Sequence, residues 1–258
     1  MRIEVFFTPN GVPEHSLRDR TVVVIDVLRS STSIITALEN GAKEVIPVAE
    51  VEDALKISAN LAKGQFLLCG EREGKLIDGF DLGNSPESFT PEVVTGKSLI
   101  FCTTNGTGTM IVAKNAKTKD LLIASITNIS IVKELILKPE NIENHLTILC
   151  AGKNNMFSLE DVVCAGLLID RLQTDKMNKI AFQLSDTAVA AKILYEQYRG
   201  NELAALKGSE HGRYLSSLGF ESDVEFCAKI DSSQALPILQ DSVFKLSKIE
   251  TKKFKRVS

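Results

Sequence analysis

The sequence predicts an α/β fold: a three-layer α/β/α sandwich with a largely parallel or mixed central sheet and an elaborated C-terminal part. Three observations predict it. Short β-branched runs alternate with segments of helical period as far as about residue 175. The runs are apolar at odd and even positions alike, as strands buried on both faces are. Hydrophobic residues make up 44% of the 258 and charged residues 24%, which is enough apolar material for a core and unlike a disordered chain.

The elements follow in order. Strands are expected at 3–7, 21–27, 44–48, 65–69, 98–102, 120–124 and 146–150, because each is a short apolar run with Val, Ile or Leu on both parities. Helices are expected between them at 31–40, 51–62, 107–115, 128–137 and 158–172, where apolar residues recur with helical period. Asn40 and Gly41 supply a helix stop. Strand followed by helix followed by strand is the order that builds a parallel sheet. Beyond residue 175 the alternation breaks. Residues 185–198 and 209–218 read as helices, and 236–249 as a strand or two. The basic run KKFKR at 252–256 reads as a solvated end. With no repeat or linker, the reading is one domain over 1–258.

Charge and cysteine content exclude several classes. The net charge of −3 argues against a general nucleic-acid binder, which needs a basic surface to displace counterions. Apolar runs such as 21–27 and 165–169 are too short to span a bilayer, and the chain begins directly on a strand-like segment, so neither a membrane nor a leader is expected. The five cysteines are odd in number and widely spaced, which predicts buried free thiols and a cytoplasmic location.

Chemistry is expected where strands end. DVLRSST at 26–32, TTNGT at 103–107 and AGKNN at 151–155 each follow an expected strand and precede an expected helix. All three turns then meet at the carboxyl edge of the sheet, where open α/β sheets bind ligands. Helix starts carry unpaired N–H groups and partial positive charge, so Ser30, Ser31 and Thr32 beside Arg29 read as an anion cradle, with helix capping as the plainer alternative. Thr104, Asn105, Gly106 and Thr107 form the second such turn. Asp26 ends an apolar strand, where a carboxylate is costly unless paired or metal-bound. A salt bridge to Arg29 and a magnesium ion are the two readings.

Other candidates surround these. Glu71 and Arg72 follow the strand at 65–69, and GFDLGNSP at 79–86 is a long ordered loop holding Asn84 and Ser85. Ser158 and Asp161 resemble a capping box, while Glu160 points elsewhere on the turn as ligand or base. SEHGR at 209–213 offers His211 as a proton donor and Arg213 as an anion clamp. Asp223 and Asp231 carry a weaker signal. Several motifs fail: Gly96, Lys97 and Ser98 resemble the end of a phosphate-binding loop, but Pro91 stands where its first glycine belongs.

The strings DVLRSST, GER at 70–72, GFDLGNSP, TTNGT, CAG at 150–152, FSLEDVVCAG at 157–166 and SEHGR occur in that order. Together they resemble the 2-phosphosulfolactate phosphatase family over nearly the whole chain. The resemblance implies a Mg²⁺-dependent phosphoric monoester hydrolase that converts 2-phospho-3-sulfolactate to sulfolactate and phosphate, a step toward coenzyme M. The departures are Lys153, Asn154 and Asn155, where more glycine is expected, and Cys102 in place of a threonine. The residue roles expected on this reading are Asp26, His211 and Arg213 as catalytic groups. Asp26, Glu71, Glu160 and Asp161 would be metal ligands. Arg29, Ser30, Ser31, Thr32, Arg72, Asn84, Ser85, Thr104, Asn105, Gly106 and Thr107 would be substrate contacts. The expected partner is a small anionic phosphorylated substrate, with a homodimer as the assembly. The rivals are a non-catalytic module that binds an anionic metabolite and needs neither metal nor proton donor, and a nucleotide-dependent enzyme built on the Gly106 turn.

Overall fold

Eleven strands form one mixed sheet in the computed structural model, which describes residues 1–175 and 180–247. In chain order the elements are β1 (Arg2–Phe6), β2 (Thr21–Ile25), α1 (Ser30–Glu39), β3 (Glu44–Val48), α2 (Val51–Ser58), β4 (Phe66–Arg72), β5 (Lys75–Leu76), α3 (Pro91–Val94), β6 (Ser98–Cys102) and α4 (Gly106–Asn115). There follow β7 (Asp120–Ala124), α5 (Ile129–Ile136), β8 (Leu146–Cys150), α6 (Leu159–Gln173), β9 (Gln183–Leu184), α7 (Asp186–Tyr198), α8 (Glu202–Gly208), α9 (Glu210–Ser217), α10 (Glu221–Cys227), β10 (Pro237–Gln240) and β11 (Val243–Leu246).

The sheet order is β5-β4-β6-β3-β11-β10-β7-β2-β8-β1-β9. It consists of two parallel blocks, β4-β6-β3 and β7-β2-β8-β1-β9. The antiparallel hairpin β10-β11 joins them, pairing Ile238 with Leu122 on one side and Phe244 with Val45 on the other.

Side-chain alternation builds the layers. In β2, Val22 and Val24 face one core, while Val23 and Ile25 face the other. In β6, Leu99 and Phe101 join the first core, and Ile100 and Cys102 join a smaller third. Helices α1 and α4 cover the first face through Ile34, Ile35, Leu38, Met110 and Ala113. On the opposite face α5, α6 and α7 cover the larger block, and α2 covers the smaller through Ala54. Full burial of these side chains is worth roughly 1.5–3 kcal/mol each for the large aliphatics, before conformational entropy is set against it.

This layout positions the site. Helix α1 leaves β2 in the larger block and leads to β3 in the smaller, whereas α4 leaves β6 in the smaller block and leads back to β7. The two crossovers lie on the same face and run in opposite senses, so their N-termini meet where the blocks adjoin.

The expected strands and helices are all present, and the differences have local causes. Strand β2 stops at Ile25 because side chains take over the next two amides: Asp26 N–H donates to Ser31 Oγ at 2.9 Å, and Val27 N–H to Asp161 Oδ1 at 2.9 Å. Strand β4 runs on to Arg72 because β5 pairs with its end. Short elements that the sequence pattern passes over are β5, β9, α3, α8 and α10. Of the segment 236–249, the described residues hold β10 and β11, the hairpin at the middle of the sheet; 248–249 and the basic run 252–256 lie outside the described residues. All five cysteines are buried and unpaired. Among the described residues no helix is long and apolar enough to cross a membrane.

Candidate active site

A cavity of about 260 Å³ opens where the two N-termini meet. Asp26, Arg29, Ser30, Glu71, Asn84, Thr104, Asn105, Lys153, Asn154, His211 and Tyr214 contribute to its wall. The closest approach is at Gly106, the first residue of α4. A Cβ built there would stand 2.4 Å from Asp26 Oδ2 and 2.6 Å from Ser30 Oγ, so only glycine lets the two helix starts come together. Ser30 Oγ donates across the junction to Thr103 Oγ1 at 3.1 Å. First-turn amides and both helix dipoles therefore converge beside one carboxylate, an arrangement suited to an anion bridged to that carboxylate by a cation.

The four acids near the junction fall into two kinds. Asp161 accepts from Val27 N–H at 2.9 Å and from Gly152 N–H at 3.0 Å, so it straps the turn after β2 to the turn after β8. Glu71 accepts from Thr104 N–H at 2.8 Å, Gly74 N–H at 2.8 Å and Thr104 Oγ1 at 3.2 Å, and so straps the turn after β6 to the β4-β5 hairpin. Asp26 is held more loosely, by Ser30 N–H at 3.4 Å. Glu160 Oε1 lies 3.4 Å from His211 Nδ1, while its Oε2 is buried without a hydrogen-bond partner.

Burial and mutual repulsion set their protonation. Burial raises the Asp26 carboxyl to about 6; the His211 charge and Ser30 hydrogen bond oppose the rise, and Glu71 adds to it. Burial pushes Asp161 well up, and the charges of Asp26 and Glu160 add to the rise. Burial also lifts Glu160, but the His211 hydrogen bond and charge outweigh it and hold that carboxyl below its ordinary value.

The C-terminal helices supply the remaining wall. Lys153 Nζ pairs with Glu210 Oε1 at 2.8 Å and lies 5.1 Å from the Tyr214 ring. The Tyr214 hydroxyl donates to Glu73 O at 3.0 Å, which docks α9 on the β4-β5 hairpin. Arg29 does not pair with Asp26. Its Nη1 donates to Asp223 Oδ2 at 2.6 Å and its Nη2 to Gly74 O at 3.0 Å, and its guanidinium carbon stands 4.3 Å from the centre of the Phe220 ring.

The structure thus brings Asp26, Arg29, Ser30, Glu71, Asn84, Thr104, Asn105 and His211 to one cavity, with Gly106 packed against Asp26 and Ser30. It places other expected residues elsewhere. Ser31 Oγ accepts from the Asp26 amide, and Thr32 Oγ1 donates to Val27 O, so both hydroxyls serve the turn itself. Thr107 closes a reciprocal cap with Thr103. Ser85 Oγ donates to Asp223 Oδ1. Arg72 faces Ala49 O and Cys102 Sγ, and exposed Arg213 donates to Gly208 O. Glu160 lines a neighbouring cavity with His211 and Lys153, and Asp161 lines neither. Asp231 caps α5 by accepting from Ser130 N–H and Oγ. Lys153, which the sequence marks as a departure from the family pattern, and Tyr214 are wall residues not expected at the site. The signal for Lys153 was its place in the third strand-end turn.

Among the described residues no group of three or more His, Cys, Asp or Glu side chains is arranged as a metal cage. Magnesium needs no such cage, since it keeps waters and takes one or two carboxylates plus phosphate oxygens. Asp26 and Glu71, both on the cavity wall, are hard oxygen donors of that kind.

A family model described as 2-phosphosulpholactate phosphatase matches residues 6–242. Three curated relatives extend the comparison, each called a probable 2-phosphosulfolactate phosphatase. One from Caldanaerobacter subterraneus subsp. tengcongensis is 38% identical over 249 residues, covering 96% of this chain and 99% of the relative. One from Thermotoga petrophila is 41% identical over 225 residues, 87% of this chain and 91% of the relative. One from Clostridium tetani is 36% identical, across 95% of this chain and 100% of the relative.

Proposed function

This chain belongs to the 2-phosphosulpholactate phosphatase family, and from that premise we propose that it hydrolyses a small 2-phospho acid, 2-phospho-3-sulfolactate first among them, to the 2-hydroxy acid and phosphate. The observation that carries the reading is the meeting of two helix N-termini over Asp26 at a glycine with no room for a side chain. A phosphate monoester bears roughly −1.5 to −2 charges at neutral pH. A protein of net charge −3 must gather positive potential locally to hold it, and Arg29, Lys153 and the two helix starts do so.

A magnesium ion held by Asp26 and Glu71 would neutralise phosphoryl oxygens and polarise the phosphorus centre. The chain's own groups do the rest. First-turn amides of α1 and α4 receive the phosphate oxygens and steady the charge that spreads over them as the ester bond breaks. Water contributes the new P–O bond, the ester P–O bond cleaves, and the leaving oxygen takes a proton. His211 gives it: Glu160 Oε1, 3.4 Å from Nδ1, orients the ring and leaves Nε2 as the donor nitrogen. Lys153 and Arg29 balance the substrate's other anionic groups. The buried, unpaired cysteines support a reducing, cytoplasmic setting.

The test is phosphate release from phosphosulfolactate and phospholactate, with magnesium and with a chelator. Magnesium-dependent turnover of at least one ester is expected. Ligand-induced thermal stabilisation without any turnover would make the protein a binder and overturn the reading.

A further inference from the structure

Helix α10 brings to Arg29 a buried carboxylate, Asp223, that the reaction scheme above leaves unused. Asp223, on α10, is 1% exposed and does not line the cavity, whereas Arg29, 3% exposed, does. Both oxygens of Asp223 are engaged: Oδ2 with Arg29 Nη1 at 2.6 Å and Oδ1 with Ser85 Oγ at 2.7 Å. Phe220 lies against the guanidinium, and Gly74 O takes Nη2. Three separate stretches of chain therefore fix the Arg29 side chain: the β4-β5 hairpin, α10 with the Phe220 before it and, through Asp223, the loop at 79–86.

Such a pair is a poor device for stability alone. Desolvating two charges offsets most of their attraction, and an apolar pair of similar size serves a core as well. Its value is orientation. A guanidinium carries five N–H groups in a rigid plane that matches a carboxylate. The bonds to Asp223 and Gly74 leave N–H groups to spare, on a residue that borders the substrate space. Lys153 offers a contrast: its partner Glu210 is exposed, so no buried carboxylate fixes the direction of its ammonium.

We propose that Asp223 is a positioning residue that, with Ser85 and Phe220, aims Arg29 at the carboxylate of the substrate. The inference rests on the phosphatase reading and deepens it: the phosphate goes to the helix starts, and the carboxylate beside the ester carbon goes to Arg29. An ester without that carboxylate gains nothing from the arrangement.

The experiment compares 2-phospholactate with isopropyl phosphate, which has a methyl group in place of the carboxylate, in wild type, Asp223→Asn and Ser85→Ala. Wild type is expected to favour phospholactate through KM. Asp223→Asn should raise the KM for phospholactate by about 10–100-fold. Its kcat should stay within about threefold, the KM for isopropyl phosphate should hardly move, and the preference between the two esters should collapse. Ser85→Ala keeps the charge of Asp223 and loosens only its hold, so the same shift should appear in smaller degree in a variant that folds. Arg29→Lys combined with Asp223→Asn should be no worse than Arg29→Lys alone. An unchanged preference in both variants, with only a lower Tm, would make the ion pair purely structural and overturn the inference while leaving the phosphatase reading intact. No phosphate release from either ester by wild type would overturn both.

Discussion

The turns at 26–33 and 103–107 use the same residue types and do different work. In the first, the hydroxyls tie the turn to the rest of the molecule. Thr32 Oγ1 reaches Val27 O and Ser125 Oγ, Ser33 Oγ reaches Asn84 O at 2.7 Å, and Ser31 Oγ takes the Asp26 amide. In the second, Thr103 and Thr107 cap each other, Thr103 Oγ1 also accepts from Ser30 Oγ, and the closest approach to the first turn comes at a residue with no side chain, Gly106. One turn is anchored and the other is hollowed. Hydroxyl-rich helix starts are therefore not anion cradles because of their hydroxyls. Most of the hydroxyls are spent on capping, and what remains for a ligand is backbone, dipole and shape.

The largest expected effect separates the acid of the anchored turn, Asp26, from the acid of α6 that straps it, Asp161. Asp26→Asn removes the charge at the junction and leaves every strap in place. It should lower kcat on the order of 10³-fold with little change in Tm. Asp161→Asn should do the reverse in stability: one amide then faces an NH₂ group instead of a carboxylate oxygen, at a cost of about 1–3 kcal/mol. Thermal melts and initial rates on the same preparations check both. Near-normal rates in Asp26→Asn would remove Asp26 from the chemistry.

The hollowed turn is tested at Gly106 and at the neighbouring Gly108. Gly106→Ala puts a methyl group within 2.4 Å of Asp26 Oδ2 and must push the helix starts apart. A displacement of about 1 Å costs on the order of 10²-fold in rate, and the overpacking costs about 1–3 kcal/mol. Gly108→Ala, one residue past Thr107, meets nothing within 4 Å. It should keep full activity and gain up to about 1 kcal/mol from helix propensity. Equal behaviour of the two variants in rate and melt would show that the close approach at Gly106 has no functional weight.

How much of this was legible depended on how local the cause was. The parallel strands were legible because burial on both faces leaves apolar residues on both parities. Strands β10 and β11 were legible as strands but not as the centre of the sheet, since only the pairings of Ile238 with Leu122 and Phe244 with Val45 place them there. Asp26 stood out as a lone carboxylate ending an apolar run. The partner of Arg29 did not, because Asp223 lies 194 residues away and no spacing rule links them. The same holds for the Tyr214 contact with Glu73, 141 residues apart. Arg213 looked equivalent to His211 in sequence, but the two sit two positions apart on α9, and only His211 faces the cavity.

The smallest expected effect tests what a hydroxyl of the anchored turn is for. Ser31 is fully buried, and its Oγ accepts from the amide of Asp26 at 2.9 Å. Ser31→Ala leaves that amide buried without an acceptor, which costs about 1–3 kcal/mol. For a protein of this size each kcal/mol lowers Tm by roughly 2–4 °C. The substrate never meets the hydroxyl, so KM should stay within about twofold, and kcat should fall only as far as Asp26 drifts. Ser30→Ala reads the other way. Its Oγ lines the cavity beside Gly106 and donates to Thr103 Oγ1, so it should change KM more than Tm. A KM shift in Ser31→Ala larger than that in Ser30→Ala would mean that the buried hydroxyl turns toward the ligand, and the contrast between an anchored and a hollowed turn would fail at the residue where it is sharpest.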